Sequence, residues 1–181
     1  NHMWATLKMG GVYFSANGGD NWAPVNGGLC LTSVCKNKAF FGFQRLLLVK
    51  FSDGSRRLYV TNGAEAGAAG GLWGSNNLAG DNLVTGWTKL TKWPGETGSN
   101  ISDNWNGSRG LFLITVSRAN PDRLWIAGHG GVIHRSDDKG ENWTYVAARQ
   151  KQITTPEFGT QTYYANNGLA LEGLLWVSVD P

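Results

Sequence analysis

The chain is short of charge, of cysteine and of long apolar runs, and each shortage excludes something. No stretch approaches the roughly 18 consecutive apolar residues of a membrane-spanning helix, so no span is expected. No signal peptide is recognisable, and export is expected only of an already processed chain. Charged residues make up 16% of the sequence, with a net charge of +3. Lys and Arg stand mostly singly, which argues against a nucleic-acid partner, and the Arg56-Arg57 pair is read as a solvated hairpin turn. The two cysteines, Cys30 and Cys35, share the segment GLCLTSVCKN. A local disulfide bracing that loop in an exported protein and two free buried thiols are both compatible with this spacing. Further ligands at metal-binding spacing are missing nearby, as are G-x-G-x-x-G and P-loop patterns, so neither a metal nor a cofactor is expected.

What the sequence has instead is 26 Gly and 9 Trp, a composition suited to short strands and tight turns and unlike a disordered chain. The organising stretch is GGVIHRSDDKGENWTYV, residues 130–146. It reads as a β-branched strand, a cluster of turn formers from Asp137 to Asn142, and a second aromatic and β-branched strand. Within it Ser136, Asp138, Gly140 and Trp143 fit S-x-D-x-G-x-x-W. In such a turn the Ser and Asp side chains bond turn amides, Gly takes the left-handed conformation, and Trp covers the tip.

The pattern recurs at intervals of about 60 residues, the mark of a repeat architecture. Near the start it is carried by Ser15, Asn17, Gly19 and Trp22, and in the middle by Ser75, Asn77 and Trp87, with extra residues inside the turn. Apolar strand pairs precede the second and third copies, in LLLVKFSDGSRRLYVTNG and LFLITVSRANPDRLWIAGHG. Four strands per repeat are therefore expected: 46–51, 57–61, 71–75 and 86–91 in one, and 111–116, 123–127, 131–135 and 142–147 in the next. At the ends, Trp4 aligns with Tyr59 and Trp125, so 1–6 reads as a second strand lacking its inner neighbour. GLLWVSVDP, 173–181, reads as an inner strand with nothing after it.

This motif resembles the Asp-box, and the chain is similar to the BNR-repeat β-propellers of sialidases, xyloglucanases and photosystem assembly factors. The resemblance implies an all-β fold of four-stranded antiparallel blades with Asp-box turns. About three blades form a single domain, 1–181, roughly 1–22 plus 174–181, 43–91 and 108–147. Three blades are too few to close a ring, since propellers have four to eight. The ring is expected to be completed by a second copy, head to tail, or by remaining blades of the same propeller.

In that topology, binding loops gather at the end opposite the Asp-box turns, within 6–11, 23–43, 61–71, 92–110, 128–131 and 147–168. Trp93, Trp105 and Arg109 in one long loop, His129, and Tyr163 and Tyr164 in another are the candidate ligand-binding residues. Flat aromatics beside polar groups suit sugar rings, making a glycan the expected ligand. Asp103 and Glu157 are the candidate catalytic carboxylates of a glycoside hydrolase. Known catalytic signatures are not met, however: the sialidase F/Y-R-I-P has no counterpart, and Met9 stands where the xyloglucanase motif has Asp. Two functions follow as expectations: an extracellular or periplasmic carbohydrate-binding or carbohydrate-processing propeller, or a non-catalytic scaffold that binds protein.

Overall fold

The structure, a computed structural model of the chain, describes residues 2–8, 10–29, 42–63, 71–75, 78–79, 83–84, 86–91, 111–128, 132–146, 148–157 and 159–166. These are all-β, with no helix among the described residues. Fifteen strands run β1 (Met3–Leu7), β2 (Gly11–Ser15), β3 (Ala23–Pro24), β4 (Phe43–Lys50), β5 (Arg56–Asn62), β6 (Gly71–Ser75), β7 (Leu78–Ala79), β8 (Leu83–Val84), β9 (Trp87–Lys89), β10 (Leu111–Val116), β11 (Leu124–Gly128), β12 (Val132–Ser136), β13 (Thr144–Tyr145), β14 (Ala148–Thr155) and β15 (Gly159–Asn166). They form antiparallel sheets ordered β1-β2-β3, β4-β5-β6-β9 and β10-β11-β12-β13, with two-stranded pairs β7-β8 and β14-β15. Both four-stranded sheets fall within a few residues of the expected spans.

Alternation along β5 shows how the larger sheets stack. Leu58 and Val60 point to a core shared with Val12, Leu29 and Trp87, between the first and second sheets. Tyr59, between them in sequence, points the other way, into a core with Leu111, Leu124, Ile126 and Trp143 of the third sheet. The three sheets thus lie face to face in chain order, and the middle one is buried on both sides. At roughly 1.5–3 kcal/mol per fully buried large apolar side chain, these two cores are the main source of stability.

The edge strands β4 and β10 each carry a bulge near their start, between Phe43 and Leu46 and between Leu111 and Leu113. In β4, the Arg45 amide N–H turns to the hydroxyl of buried Thr61, 3.1 Å away. The start of β2 is clamped by Asn26, which accepts from the Val12 amide at 2.7 Å and donates to the Gly10 carbonyl at 3.0 Å.

Register ties the three repeats together. Trp4 lies opposite Phe14, Tyr59 opposite Gly74, and Trp125 opposite Arg135, each one pair away from Ser15, Ser75 or Ser136. All three serines are buried. The expected partner of β1, residues 174–181, lies outside the described residues, as do Cys30 and Cys35.

Two expectations need correction. Residues 147–168 were expected to be a loop, but β14 and β15 pair along their whole length, from Ala148 opposite Asn166 to Thr155 opposite Gly159. Thr, Gln, Ile and Tyr are good strand formers, and the short turn at Pro156-Glu157 lets them pair without the apolar run that marks a core strand. Arg57 is likewise not a solvated turn residue. It opens β5 with a side chain only 18% exposed, held by Glu141 at 2.6 Å and the Ser75 carbonyl at 3.1 Å.

Candidate functional site

The best-defined polar structure is the serine-centred turn after β12. The Ser136 hydroxyl donates to Asp138 Oδ1 at 2.7 Å and accepts the Gly140 amide at 2.8 Å. Asp138 in turn accepts the Asn142 amide at 2.8 Å and the Asn142 side chain at 2.7 Å. Burial pushes the Asp138 carboxyl up, but these hydrogen bonds outweigh it and hold the group below the usual carboxylate range. The Trp143 indole closes the tip by donating to the Gly140 carbonyl at 3.0 Å.

The turn after β2 repeats the pattern with Asn in the Asp position. Ser15 donates to Asn17 Oδ1 at 2.9 Å and accepts the Gly19 amide at 2.9 Å, and Asn17 accepts the Asn21 amide at 3.0 Å. Ser75 differs: its hydroxyl accepts the Leu58 amide at 3.0 Å, while β7 and β8 occupy the lengthened turn and Asn77 lies outside the described residues. Trp87 and Trp143 are buried, whereas Trp22 is 40% exposed and does not seal its turn as expected. The reason is positional, because Trp87 and Trp143 sit against the preceding sheet and no sheet precedes β1–β3 among the described residues.

Sequence reasoning missed the joint between the second and third sheets at this end of the strands. A cleft of roughly 320 Å³ is lined by Phe51, Ser55, Arg57, Ser75, Lys139 and Glu141, among others. Lys139 is its hub. Its backbone is left-handed, with φ 61°, and its carbonyl accepts the Tyr59 hydroxyl at 2.6 Å while its amide donates to the Asp122 carbonyl at 3.0 Å. The Lys139 ammonium pairs with Asp53 and lies 4.9 Å from the Phe51 ring centroid. Ser52 adds a side-chain bond to Asp122 at 2.5 Å. Burial drives the Tyr59 hydroxyl pKa well above its ordinary value, leaving it a neutral donor. One sequence signal could have found this hub: Lys139 aligns with Gly18, which is also left-handed, and a lysine tolerated there must be held by neighbours.

The charges across the cleft are matched to one another and fasten two sheets. Exposed ion pairs contribute at most about 1 kcal/mol each, so the joint fixes geometry more than it adds stability. The Asp53 carboxyl is held far below its usual range, chiefly by the hydrogen bond from Lys139 and then by Ser55. In Lys139→Met, Asp53 is expected to titrate closer to the ordinary carboxylate range. A carboxyl-carbon NMR titration that leaves it unmoved would show that Lys139 is not its partner in solution.

Trp93, Asp103, Trp105, Arg109 and His129 lie outside the described residues. Tyr163 and Tyr164 are on β15, opposite Lys151 and Gln150. Glu157 is exposed in the turn between β14 and β15. The separation of Asp103 and Glu157 is therefore not defined. β5, β9 and β11 all end, and β6, β10 and β12 all begin, at the end of the sheets away from the serine turns. No group of three or more His, Cys, Asp or Glu side chains able to hold a metal is present among the described residues, and no helix is long and apolar enough to cross a membrane. Comparison with known proteins gives no match: no family model, no curated protein and no solved structure matches the chain.

Proposed function

We propose that the chain is part of an exported Asp-box β-propeller that binds carbohydrate through the loops at the end opposite the serine-centred turns. One observation carries the propeller reading: three sheets stacked in chain order, each with a buried serine at the same register position. Radial stacking of small sheets is what a propeller requires, and it puts successive inter-sheet connections at a common mouth. The Trp93 and Trp105 segment and His129 belong to connections of that kind, and aromatic side chains there would stack on sugar rings. Binding is favoured over hydrolysis because Glu157 stands exposed in a ribbon turn, whereas a glycosidase needs two carboxylates across one substrate, about 5–10 Å apart.

The test is a glycan array probed with the wild-type chain and Trp105→Ala. The reading expects a wild-type signal that the substitution removes while the far-ultraviolet spectrum is unchanged. A wild-type protein silent to every glycan, with a stable protein partner recovered by pull-down, would favour the scaffold reading. One observation leans that way: the charged groups of the inter-sheet cleft are spent on joining the sheets rather than presented to a ligand.

A further inference from the structure

The stacking rule of the sheets exposes an unfilled position. Four register-equivalent side chains of each sheet point back toward the sheet before it. In the third sheet they are Leu124, Ile126, His134 and Trp143, and in the second Leu58, Val60, Trp73 and Trp87, all buried. The first sheet has Met3, Ala5, Tyr13 and Trp22 at these positions. Met3 is 45% and Trp22 40% exposed, and Leu7, on the same face of β1 by alternation, is 52% exposed. Nothing about the first turn itself explains this, because Ser15 and Asn17 make the same hydrogen bonds as Ser136 and Asp138. The other end of the stack is closed: Leu113 and Ala127, on the far face of the third sheet, are buried.

We infer that the backward face of the first sheet, centred on Trp22, Met3, Leu7 and Tyr13, is the interface of a two-fold symmetric dimer of this chain. An apolar face with an exposed tryptophan is a docking surface rather than a solvated one. With one open end and one closed end, a second copy can satisfy both chains only by presenting the same face, an isologous contact that stops at two. The closed end is what turns the inference away from head-to-tail pairing. Five residues along β1 and three strands across give a face of roughly 17 by 14 Å. That is small against the ~800 Å² per partner of a stable complex, so the dimer is weak and concentration-dependent. This inference rests on the sheet stacking alone and not on carbohydrate binding.

Sedimentation equilibrium of the full chain over the micromolar to submillimolar range tests it. The mass is expected to rise from 19.6 kDa toward twice that value. Trp22→Glu and, independently, Leu7→Lys should hold it at the monomer, with unchanged circular dichroism because both side chains are already exposed. A trace of labelled Trp22→Glu in excess wild-type should also stay monomeric. Its sedimenting as a dimer would reveal head-to-tail pairing and overturn the symmetric contact. The inference is equally overturned by a wild-type chain that stays monomeric throughout, by masses beyond two chains, or by a dimer indifferent to both substitutions.

Discussion

Trp143→Ala is expected to cost about 3–5 kcal/mol of unfolding free energy, whereas Trp22→Ala should change it by no more than about 0.5 kcal/mol in the dilute, monomeric protein. The two residues hold the same place in the repeated pattern and differ only in what lies behind them. Trp143 is 2% exposed in the core between the second and third sheets, and its indole also ties the turn through Gly140. Gly140 itself, with φ 88°, leaves no room for a side chain to ride above that ring: an added Cβ would sit 3.3 Å from Trp143. Removing the indole opens a large cavity beside a backbone that can close only by moving two sheets. Trp22 leaves no such cavity. Urea midpoints of the two variants measure the contrast, and equal losses would mean that the third sheet does not pack on the second as described.

The second large effect is on acid stability. His134 is fully buried on β12, with its ring 5.2 Å from that of Tyr145. Burial pulls its pKa down from 6.5 to about 3. Below pH 6.5 the unfolded chain takes up a proton at this residue and the folded chain does not, so stability falls as the pH falls. The slope is about 1.4 kcal/mol for each pH unit until the folded-state pKa is reached. Against a total of perhaps 5–15 kcal/mol for a domain, two units are a large share. The depressed carboxylates Asp53 and Asp138 act with the same sign but only lower, as the pH falls through and below the ordinary carboxylate value of 3.8. Denaturant titrations of wild-type and His134→Phe between pH 7 and 4.5 separate the two. Phe keeps an aromatic ring where the equivalent positions carry Trp73 and Tyr13, and it should flatten the slope. A wild-type protein with no slope in this window would place a charged or solvated His134 in the folded state.

How much of this was legible follows from where the signal lies. The runs LLLVK and LFLITV announced β4 and β10 because both of their faces meet other sheets, and the spacing of Ser15, Ser75 and Ser136 announced a repeat because the same buried hydroxyl is needed in each. Trp4, Tyr59 and Trp125 aligned for the same reason. What stayed hidden depends on partners distant in sequence. Lys139 becomes a hub only when Asp53, Tyr59 and Asp122 arrive from other turns, and nothing local to DDKGE names them. Arg57 reads as a turn residue until Glu141 is brought to it. The ribbon β14–β15 was missed because its residues are mostly polar and pair with each other rather than into a core. Which of three equivalent tryptophans would be exposed depends on the order of stacking, a property of the assembled sheets and not of any one repeat.

The central claim is that each sheet sets its turn tryptophan against the sheet before it, and it can be read from one NMR experiment at low protein concentration. Trp87 donates its indole N–H to the Val25 carbonyl at 2.6 Å and shares a core with Val12 and Leu29. Nuclear Overhauser contacts from the Trp87 ring to Val12 and Leu29 are therefore expected, together with contacts from Trp143 to Tyr59 and none from Trp22 to another sheet. Tryptophan contacts confined to residues of their own sheet would contradict the account.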